Sequence, residues 1–376
     1  KQDWVALDID ERIDLLEEVR AGMAEVSEGL VHATVQAMGM ELGTAEEGEV
    51  WLAGPSALIR NLTFLIDSLR DIRDYGAPQL PAPAHTRPDG QVVAPVLPAN
   101  GWDKVLFQGF SGEIWMEPGV TLDEMRQSQA AFYRNPSPKG HVALVLGAGN
   151  HTSIGPMDAL QKLFVEGQVT LLKMNPVNEY AGPFIDEAFA PLRERGFFRL
   201  VYGGAEEGDY LCQHDLVEEI HVTGSDKTHD AIVFGVGEEG RRRKAAGELR
   251  NTKRLTCELG NVSPAIIVPG PWSDKDLDFQ GVNIASTVVN NAGYNCSATR
   301  VVVQHAQWDK REPLLASIQK AFRQANDRKP YYPGSEDRQK TFLEHHPDAD
   351  QFGTKGPGHV PWTLIHHLDP NDTDEI

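Results

Sequence analysis

The first seventy residues carry apolar side chains at helical spacing. Two series recur every three or four residues, which places each series on one face of a helix. The first series comprises Leu16, Val19, Met23, Val26 and Leu30, and the second comprises Leu58, Leu62, Leu65, Leu69 and Ile72. We therefore expect two amphipathic helices that bury these faces.

The pattern changes over residues 75–100, which are rich in proline and show little periodicity. Proline lacks a backbone donor and interrupts helices, so this segment is predicted to be an extended connection across the surface. Residues 104–110 and 113–116 then flank Ser111 and Gly112, a pattern typical of a β-hairpin. We interpret residues 104–117 as a bridging hairpin or a subunit contact.

From residue 141 onward, short runs of Val, Ile and Leu alternate with helical stretches. The pattern predicts strands at 141–146, 168–173, 198–202, 219–223, 265–269 and 299–305, and helices at 154–166 and 181–196. Repeated βαβ units build a parallel sheet whose site lies at the carboxyl ends of the strands. The expected fold class is therefore α/β, with a doubly wound sheet followed by a second α/β segment. No element is predicted after about residue 325.

Composition and charge narrow the possible functions. The chain of 376 residues has 35 Lys and Arg against 55 Asp and Glu, a net charge of −20, which repels phosphate backbones and argues against nucleic-acid binding. The basic run at 241–244 lies between acidic residues and is interpreted as a solvated surface segment. No apolar stretch approaches the roughly 18 residues of a membrane helix. Three cysteines are too few for a disulfide framework and favour a reducing, cytoplasmic location.

One cysteine lies in a setting that suits nucleophilic chemistry. Cys296 follows a turn rich in Asn and Gly at 290–295 and precedes a predicted strand. Backbone N–H groups in such a turn can stabilise a thiolate, the reactive form of cysteine. The alternative is a small buried side chain, and this is the interpretation given to Cys212 and Cys257.

Further candidate residues lie at or near the predicted strand ends. Glu258 has apolar neighbours, which predicts a partly desolvated carboxylate suited to a general base, although an ordinary surface glutamate fits the same pattern. The amide of Asn150 can either face developing negative charge or cap the helix that begins near residue 154. Gly224 and Ser225 close another strand and can present a helix N-terminus to a pyrophosphate.

Taken in order, these segments resemble the aldehyde dehydrogenase superfamily over roughly residues 140–320. The resemblance rests on Asn150, Lys173, the segment 221–225, Glu258-Leu259-Gly260, and Asn291-Ala292-Gly293 leading to Cys296. Each motif alone is weak, but their order and approximate spacing together are specific. The chain is accordingly identified as a divergent member of this superfamily.

The resemblance implies a catalytic role for three residues. Cys296 would attack the aldehyde carbonyl as a thiolate. The Asn150 amide and the Cys296 backbone N–H would hold the resulting oxyanion. Glu258 would activate water against the thioester that remains and help deprotonate the thiol, so that an aldehyde is oxidised to a carboxylic acid.

The resemblance also implies a cofactor, a domain plan and an assembly. Lys173 would bind the adenosine ribose of NAD or NADP, while Gly224 and Ser225 would bind the pyrophosphate. Residues 1–258 would form a nucleotide-binding domain and residues 259–376 an incomplete catalytic domain. A homo-oligomer, either a dimer or a tetramer, acting on a small-molecule aldehyde is expected, without a nucleic-acid or membrane partner.

Departures from the family pattern leave alternatives open. Gly149 stands where the family has Trp, Asn261 replaces the second Gly after Glu258, and residues around 237–247 lengthen the path to Glu258. The chain ends at Ile376 before the family's Glu-x-Phe cofactor segment and C-terminal strand are found. A CoA-acylating dehydrogenase and a catalytically silent scaffold homologue therefore remain alternatives.

One departure bears on cofactor choice. Pro176 occupies the position where NAD-preferring members carry a Glu that repels the 2′-phosphate of NADP. Glu179 is the first acidic residue downstream and would have to fold back to replace it. The sequence therefore predicts that NADP is used at least comparably to NAD.

Two histidine pairs lie in the polar C-terminal region, His345-His346 and His366-His367. Neither pair has a carboxylate or cysteine at a recognisable ligand spacing. They are interpreted as solvated loop residues, and no metal site is predicted.

Overall fold

A computed structural model describes residues 1–366, 368–369 and 371. Its strands are His85–Thr86 (β1), Val92–Leu97 (β2), Gly112–Trp115 (β3), Val142–Leu146 (β4), Val169–Lys173 (β5), Phe198–Val201 (β6), Glu219–Gly224 (β7), Arg254–Leu259 (β8), Pro264–Ile267 (β9), Val301–Gln304 (β10), Asp350–Phe352 (β11) and Trp362–Leu364 (β12). The six strands predicted from residue 141 onward are all present, with ends displaced by one or two residues.

The α-helices surround these strands. In chain order they are Gln2–Ala6 (α1), Ile9–Ala37 (α2), Ala45–Trp51 (α3), Ala57–Tyr75 (α4), Gly101–Leu106 (α5), Leu122–Ser128 (α6), Ala131–Arg134 (α7), Ile154–Leu160 (α8), Gly182–Ala188 (α9), Ala190–Glu194 (α10), Ala205–Gln213 (α11), Asp226–Val233 (α12), Gly237–Ala246 (α13), Asp274–Val289 (α14), Arg311–Gln324 (α15) and Ser335–His345 (α16). Two π-helical turns, Leu52–Ser56 and Gln161–Val165, connect α3 to α4 and extend α8.

The central sheet has five parallel strands in the order β6-β5-β4-β7-β8. The chain first moves outward from β4 to β6 and then returns to the other side of β4 with β7 and β8. This reversal is the doubly wound arrangement, in which a crevice opens at the carboxyl ends of the two strands where the order changes. The predicted fold class is confirmed, and the crevice lies between the ends of β4 and β7.

The two faces of the sheet bury different sets of helices. On one face, the long helices α2 and α4 pack with α8 and α9 over side chains such as Val145 and Leu172. On the other, Cys212 of α11 and Ile232 of α12 pack against Leu144. Burial of each large apolar side chain contributes about 1.5–3 kcal/mol. Because helices cover both faces of the sheet, successive residues of its inner strands are apolar, and these strands appear in the sequence as continuous apolar runs.

The two N-terminal helical stripes are confirmed. The α2 stripe is buried throughout, and the α4 stripe is buried at Leu58, Leu62 and Leu69. The Asp8 side chain accepts a hydrogen bond from the Glu11 N–H, and the Glu11 carboxylate accepts one from the Asp8 N–H. This capping box fixes where α2 begins.

The predicted hairpin at 104–117 is wrong. Residues Gly101–Leu106 form helix α5, capped by the Asn100 side chain, which accepts a hydrogen bond from the Asp103 N–H. Strand β3 pairs antiparallel with β2 and not with residues 104–110. The first part of the predicted hairpin is therefore helical. Its second part, β3, pairs with the earlier strand β2 and not across a turn at Ser111 and Gly112.

The surface connection predicted for residues 75–100 is only partly correct. No helix forms between Gly76 and Asn100, but Val92, Val93 and Ala94 in β2 are buried. Strand β2 lies between β1 and β3, and the pairing of β2 with β3 shifts register between Pro95 and Leu97. A strand tolerates proline at such an irregularity because the ladder already lacks a regular bond there.

Residues after β8 form a second cluster of elements. Strands β9 and β10 pair in parallel, and helices α14 and α15 pack beside them over Leu277, Ile318 and Phe322. The unassigned region after residue 325 contains α16 and the antiparallel pair β11 and β12. The predicted domain boundary between residues 258 and 259 stays a prediction.

The ion pairs on the surface of the described chain agree with the sequence interpretation of the basic run at 241–244. The basic run lies on α13, where Arg242 and Arg243 pair with Glu239, and Lys244 pairs with Asp230. The interpretation as a solvated segment is confirmed. Among the described helices, none combines the length and apolar character required to cross a membrane.

Candidate active site

The carboxyl ends of four parallel strands bring most of the predicted site residues to one edge of the sheet. Asn150 follows β4, Lys173 ends β5, Gly224 ends β7, and Glu258 is the last residue but one of β8. Parallel strands end at the same edge, and the order of the sheet reverses between β4 and β7. The residues therefore lie along the edge of the sheet at which the crevice of this fold opens.

Glycines allow the segment after β4 to approach its neighbours closely. A side chain on Gly155 would lie 3.4 Å from the Cα of Gly147, so helix α8 packs directly against the end of β4. A Cβ on Gly149 would collide with the Tyr332 hydroxyl and lie 2.8 Å from Asn175. The Tyr332 hydroxyl thus occupies the space beside Gly149, the position where the family pattern has Trp.

Asn150 is tied to the segment that carries the candidate nucleophile. Its side-chain N–H donates to the Tyr294 carbonyl at 3.0 Å, and its own carbonyl accepts a hydrogen bond from the Asn291 amide at 3.0 Å. Ser153, and not Asn150, is the N-cap residue of α8. The alternative role of Asn150 as a helix cap is therefore wrong.

The segment 290–296, called the nucleophile loop below, has an unusual backbone. Three consecutive residues, Asn291, Ala292 and Gly293, have φ values of +52°, +53° and +82°. Glycine adopts this left-handed region freely, whereas alanine does so at a cost of roughly 1–2 kcal/mol. Such a conformation persists only where surrounding contacts fix it.

Side chains within and beside the nucleophile loop supply some of those contacts. Asn295 donates to the Asn290 side-chain oxygen at 2.6 Å, and the Asn295 oxygen lies 2.8 Å from Nε2 of His151. Burial lowers the pKa of His151 below its ordinary value. The ring is therefore neutral near pH 7, with Nε2 donating to Asn295 and Nδ1 left as an acceptor.

Cys296 lies in the turn that ends the nucleophile loop, and its side chain is exposed. Its carbonyl accepts a long hydrogen bond of 3.5 Å from the Ser263 hydroxyl. The alternative interpretation of Cys296 as a small buried residue is therefore wrong. An accessible thiol at a turn meets the first requirement for a nucleophile.

The other two cysteines differ from each other. Cys212 is fully buried, and burial raises the pKa of its thiol to about 11, so its interpretation as a packing residue is confirmed. Cys257 is exposed, which makes the same prediction wrong for that residue. The reason is its position on β8, an outermost strand of the sheet that the described residues leave largely uncovered.

Glu258 stands directly beside Thr223 in the register of β7 and β8. It lies within the strand and not before it, and its side chain is exposed. The predicted desolvation is therefore absent. Near this position, the Thr223 hydroxyl donates to Asp158 at 2.9 Å, so the surroundings of the strand end are polar.

The ammonium group of Lys173 is held below the surface. The residue is only 6% exposed, and Nζ donates to the carbonyl oxygens of Gly203 at 2.5 Å and Met174 at 3.4 Å. Burial lowers the pKa of Lys173, and the charges of Glu207 and Glu179 oppose that shift. Two acceptors leave one of the three N–H groups of Lys173 for a hydroxyl of a ligand.

The end of β7 leads directly into a helix. The Ser225 hydroxyl accepts a hydrogen bond from the Thr228 N–H at 3.2 Å and caps α12, as the sequence predicts. Gly224 is exposed, and a Cβ built there meets only the Val222 side chain within 4 Å. Exposed backbone at a capped helix N-terminus has the donor chemistry that a pyrophosphate requires.

Sequence reasoning missed several residues around Asn150. A cavity of about 30 Å³ beside Asn150 is lined by Glu49, His151, Asn291 and Tyr331, among others. Such a volume accommodates about one or two water molecules. Glu49 and Tyr331 lie far from every motif in sequence, so only the folded chain brings them to the nucleophile loop.

The described residues of the two histidine pairs lie in different settings. Among the described residues, no group of three or more His, Cys, Asp or Glu side chains is placed to hold an ion. His345 is the last residue of α16 and not a loop residue, and Nε2 of His366 lies 2.8 Å from Asp350. The loop interpretation is therefore wrong for His345, whereas His367 lies outside the described residues.

Comparisons with known proteins identify the family of the chain. The sequence pattern of the aldehyde dehydrogenase family matches residues 112–334, more than half of the chain. The chain therefore belongs to the aldehyde dehydrogenase family, and the resemblance inferred from the motifs is confirmed. An NADP-dependent glyceraldehyde-3-phosphate dehydrogenase from Streptococcus equinus is 32% identical over 215 residues, covering 54% of this chain and 41% of that enzyme.

Solved structures support the fold. A substrate-bound AldH of Staphylococcus aureus superposes with a TM-score of 0.64 at 13% identity and covers 98% of this chain and 68% of the other. An NADP complex of NADP-dependent glyceraldehyde-3-phosphate dehydrogenase from Bacillus halodurans gives a TM-score of 0.59 at 17% identity, covering 98% and 67%. The chain matches less than half the length of the Streptococcus equinus enzyme.

Proposed function

We propose that this chain oxidises an aldehyde to a carboxylic acid with NAD or NADP and uses Cys296 as the nucleophile. The observation that carries the proposal is the tie between Asn150 and the nucleophile loop, 3.0 Å from its amide to the Tyr294 carbonyl. That contact links an amide donor to the backbone two residues before an exposed thiol. Family membership supplies the reaction class.

The first chemical step uses the thiol and the amide. The Cys296 thiol first loses its proton to Glu258 or to solvent. The thiolate sulfur then forms a bond to the aldehyde carbon, and the carbonyl oxygen becomes an oxyanion. One N–H of the Asn150 amide is engaged with Tyr294, so the second N–H is available to the oxyanion. A preorganised donor of this kind stabilises the charge as it develops.

The later step releases the acid. When bound, the nicotinamide cofactor supplies the hydride acceptor that turns the thiohemiacetal into a thioester. Glu258 takes a proton from water, the water oxygen attacks the thioester carbon, and the thiolate of Cys296 leaves. The exposed position of Glu258 at the end of β8 gives water free access to this carboxylate.

The residues around the crevice fit a dinucleotide. Lys173 would donate to the adenosine ribose with its remaining N–H, and Ser225 with the exposed backbone of Gly224 would face the pyrophosphate. NADP in the name of one relative and in one structural neighbour supports this assignment. Binding would place the cofactor across the ends of β5, β4 and β7.

Turnover measurements test the proposal. Aldehydes of increasing chain length are supplied with NAD and with NADP, and reduced cofactor is recorded for the wild type, Cys296→Ala and Cys212→Ala. We expect turnover in the wild type, none in Cys296→Ala, and most of the activity in Cys212→Ala. Retained turnover in Cys296→Ala would exclude the mechanism, and an inactive wild type would favour the catalytically silent scaffold.

A CoA-acylating dehydrogenase is the second candidate, because Glu258 lacks the desolvated setting expected of a tuned base. In that reaction the sulfur of CoA, and not water, takes the acyl group from Cys296. Addition of CoA to the same assay separates the two reactions. Acyl-CoA as the product would establish the acylating reaction, and free acid with CoA present would exclude it.

Assembly into a homo-oligomer belongs to the same proposal. Large apolar side chains are exposed on and around α5 and β3, including Trp102, Leu106, Phe110 and Trp115. Clusters of this kind often mark subunit contacts, which supports a contact role for the segment 104–117. Sedimentation equilibrium should give a dimer or tetramer, and Trp102→Ser with Leu106→Ser should shift it toward the monomer.

A further inference from the structure

Glu49 of helix α3 reaches the nucleophile loop from a segment 242 residues earlier in the chain. Its Oε2 accepts a hydrogen bond of 3.0 Å from the backbone N–H of Asn291. Its Oε1 accepts one of 2.5 Å from Nη2 of Arg328. Each carboxylate oxygen of Glu49 therefore has its own hydrogen-bond donor. One of these donors, Asn291, is the first residue of the loop with a left-handed backbone conformation.

The carboxylate of Glu49 is held in place by Arg328. The Arg328 side chain is only 9% exposed, and its other nitrogen, Nη1, lies 3.0 Å from the Met40 sulfur. A partly buried arginine with two fixed contacts leaves the glutamate little freedom of rotation. Glu49 thus acts on the loop as a rigid acceptor and not as a mobile surface charge.

Tyr331 holds the same loop residue from the other side. Its hydroxyl donates to the Asn291 side-chain oxygen at 2.8 Å and lies 3.4 Å from the Asn150 carbonyl. Burial raises the pKa of Tyr331, so the hydroxyl remains a donor at any ordinary pH. Asn291 is therefore bound at its backbone N–H and its side chain at once.

We propose that Glu49 is a positioning residue for the nucleophile loop. Through the Asn291 N–H it holds the left-handed turn that sets the direction of the Cys296 thiol relative to the Asn150 amide. This inference rests on the proposed function, because it assigns a task to Glu49 within that reaction. The task concerns the aim of the thiol and not the binding of the aldehyde.

The backbone itself explains why an external acceptor is needed. Asn291 and Ala292 both lie in a region that side-chain-bearing residues avoid, so a free loop would relax toward other conformations. A carboxylate is a strong acceptor for a backbone N–H, and Glu49 supplies it at the residue where the left-handed run starts. Loss of that bond would let the thiol sample other directions.

The chain offers a matched control on the same helix. Glu46 of α3 also binds the segment around residue 328, since its Oε1 accepts a hydrogen bond of 2.5 Å from the Asn326 side chain. Its bonds within the described chain do not include the nucleophile loop. Glu46→Ala therefore removes a similar link between α3 and that segment while leaving Asn291 untouched.

The experiment measures the thiol directly. In a Cys257→Ser background, which removes the other exposed thiol, the rate of Cys296 alkylation by iodoacetamide is followed by peptide mass spectrometry from pH 6 to 10. The same proteins are assayed for kcat and KM with an aldehyde and NADP. The variants are Glu49→Ala, Glu49→Gln, Tyr331→Phe and Glu46→Ala.

We expect Glu49→Ala to lower kcat about tenfold with KM for the aldehyde changed less than twofold, because a misplacement of about 1 Å costs up to roughly 10²-fold in rate. The pH profile of alkylation should change in the same variant. Glu49→Gln keeps an acceptor oxygen and should restore most of kcat. Glu46→Ala should match the wild type in both measurements.

Three results would overturn the proposal. They are an unchanged alkylation profile in Glu49→Ala, an equal loss in Glu46→Ala, and a Glu49→Gln variant as impaired as Glu49→Ala. Should Glu49→Ala fail to fold, Tyr331→Phe, which removes the other hydrogen bond to Asn291, decides by the same measurements, with an unchanged profile counting against the positioning of the loop through Asn291. If the wild type oxidises no aldehyde, the proposed function fails, yet the alkylation profiles still test the positioning of the thiol.

Discussion

The nucleophile loop and the end of β8 are both placed at the crevice side of the protein, but they are held in different ways. Residues of the loop are bound by Asn150, His151 and Glu49, which come from two other parts of the chain. Glu258 is exposed on an outermost strand. One region is fixed by many contacts, and the other is open to solvent.

This difference matches the two halves of the proposed reaction. Attack by a thiol and stabilisation of an oxyanion require fixed geometry within a fraction of an ångström. Activation of water requires access to solvent and a base within hydrogen-bond reach. The contrast predicts that changes near the loop impair the first half, whereas changes at Glu258 impair the second half most.

The largest separation should come from Glu258→Gln. The variant should release about one equivalent of reduced cofactor per active site and then stall, with steady-state turnover reduced by about 10²–10⁴-fold. Rapid-mixing measurements of cofactor absorbance check this, with Glu239→Gln on exposed α13 as a control. A burst lost together with the steady state would contradict the division between the two halves.

Asn150→Ala should act on the other half. Removal of one oxyanion donor typically costs about 10²–10³-fold in kcat, and here the loss should appear in the burst rate as well as in steady-state turnover. The loop would also lose its bond to the Tyr294 carbonyl. If the burst kept the wild-type rate, Asn150 would have no part in the first step.

The preference between NADP and NAD should change less than the rates in the two variants above. Glu179 acts on the Lys173 ammonium through its charge, although it is itself exposed. Glu179→Gln should raise kcat/KM for NADP relative to NAD by up to about tenfold, since removal of a negative charge favours a 2′-phosphate. A wild-type preference for NAD of about a hundredfold or more would contradict the prediction drawn from Pro176.

The smallest predicted effect is on the pH dependence of the free energy of unfolding. Burial lowers the pKa of His151, while the charge of Glu49 and the bond to Asn295 oppose that shift. Below about pH 6.5 the unfolded chain takes up this proton more readily than the folded one, so the free energy of unfolding falls as pH falls, by at most about 1.4 kcal/mol per pH unit.

Urea denaturation between pH 5 and 8 measures this dependence, with His151→Gln as the comparison. The variant keeps a side-chain donor for Asn295 but does not titrate. Its stability should therefore depend less on pH in this range. Equal slopes for both proteins would show that His151 does not carry the dependence.

Much of the fold was predictable because its signals are local. The parallel strands after residue 141 are short apolar runs, and the stripes on α2 and α4 repeat at helical spacing. Helix α5 was missed because Asn100 looked like part of a proline-rich connection. The partner of β3 lies some twenty residues earlier in the chain, where no local pattern indicates it.

Local sequence patterns also indicate only part of the candidate site. Asn150, Lys173, Ser225 and Cys296 follow from motifs, because each lies at the end of a strand or in a turn. Glu49 has no motif, since its role depends on contacts that only tertiary structure creates. The exposure of Cys257 and Glu258 was also hidden, because local sequence does not reveal which strand lies at the edge of a sheet.

The collision between a side chain on Gly149 and the hydroxyl of Tyr332 means that these two positions cannot vary independently. A bulky residue at 149 requires a small one at 332, so the space is shared by two residues 183 positions apart. Gly149→Ala alone should therefore displace the Tyr332 side chain, whereas the same change combined with Tyr332→Ala removes that contact and leaves only the Asn175 side chain, at 2.8 Å, to shift. A search for related sequences should accordingly find exchanges at these positions in pairs, with the total side-chain volume kept nearly constant.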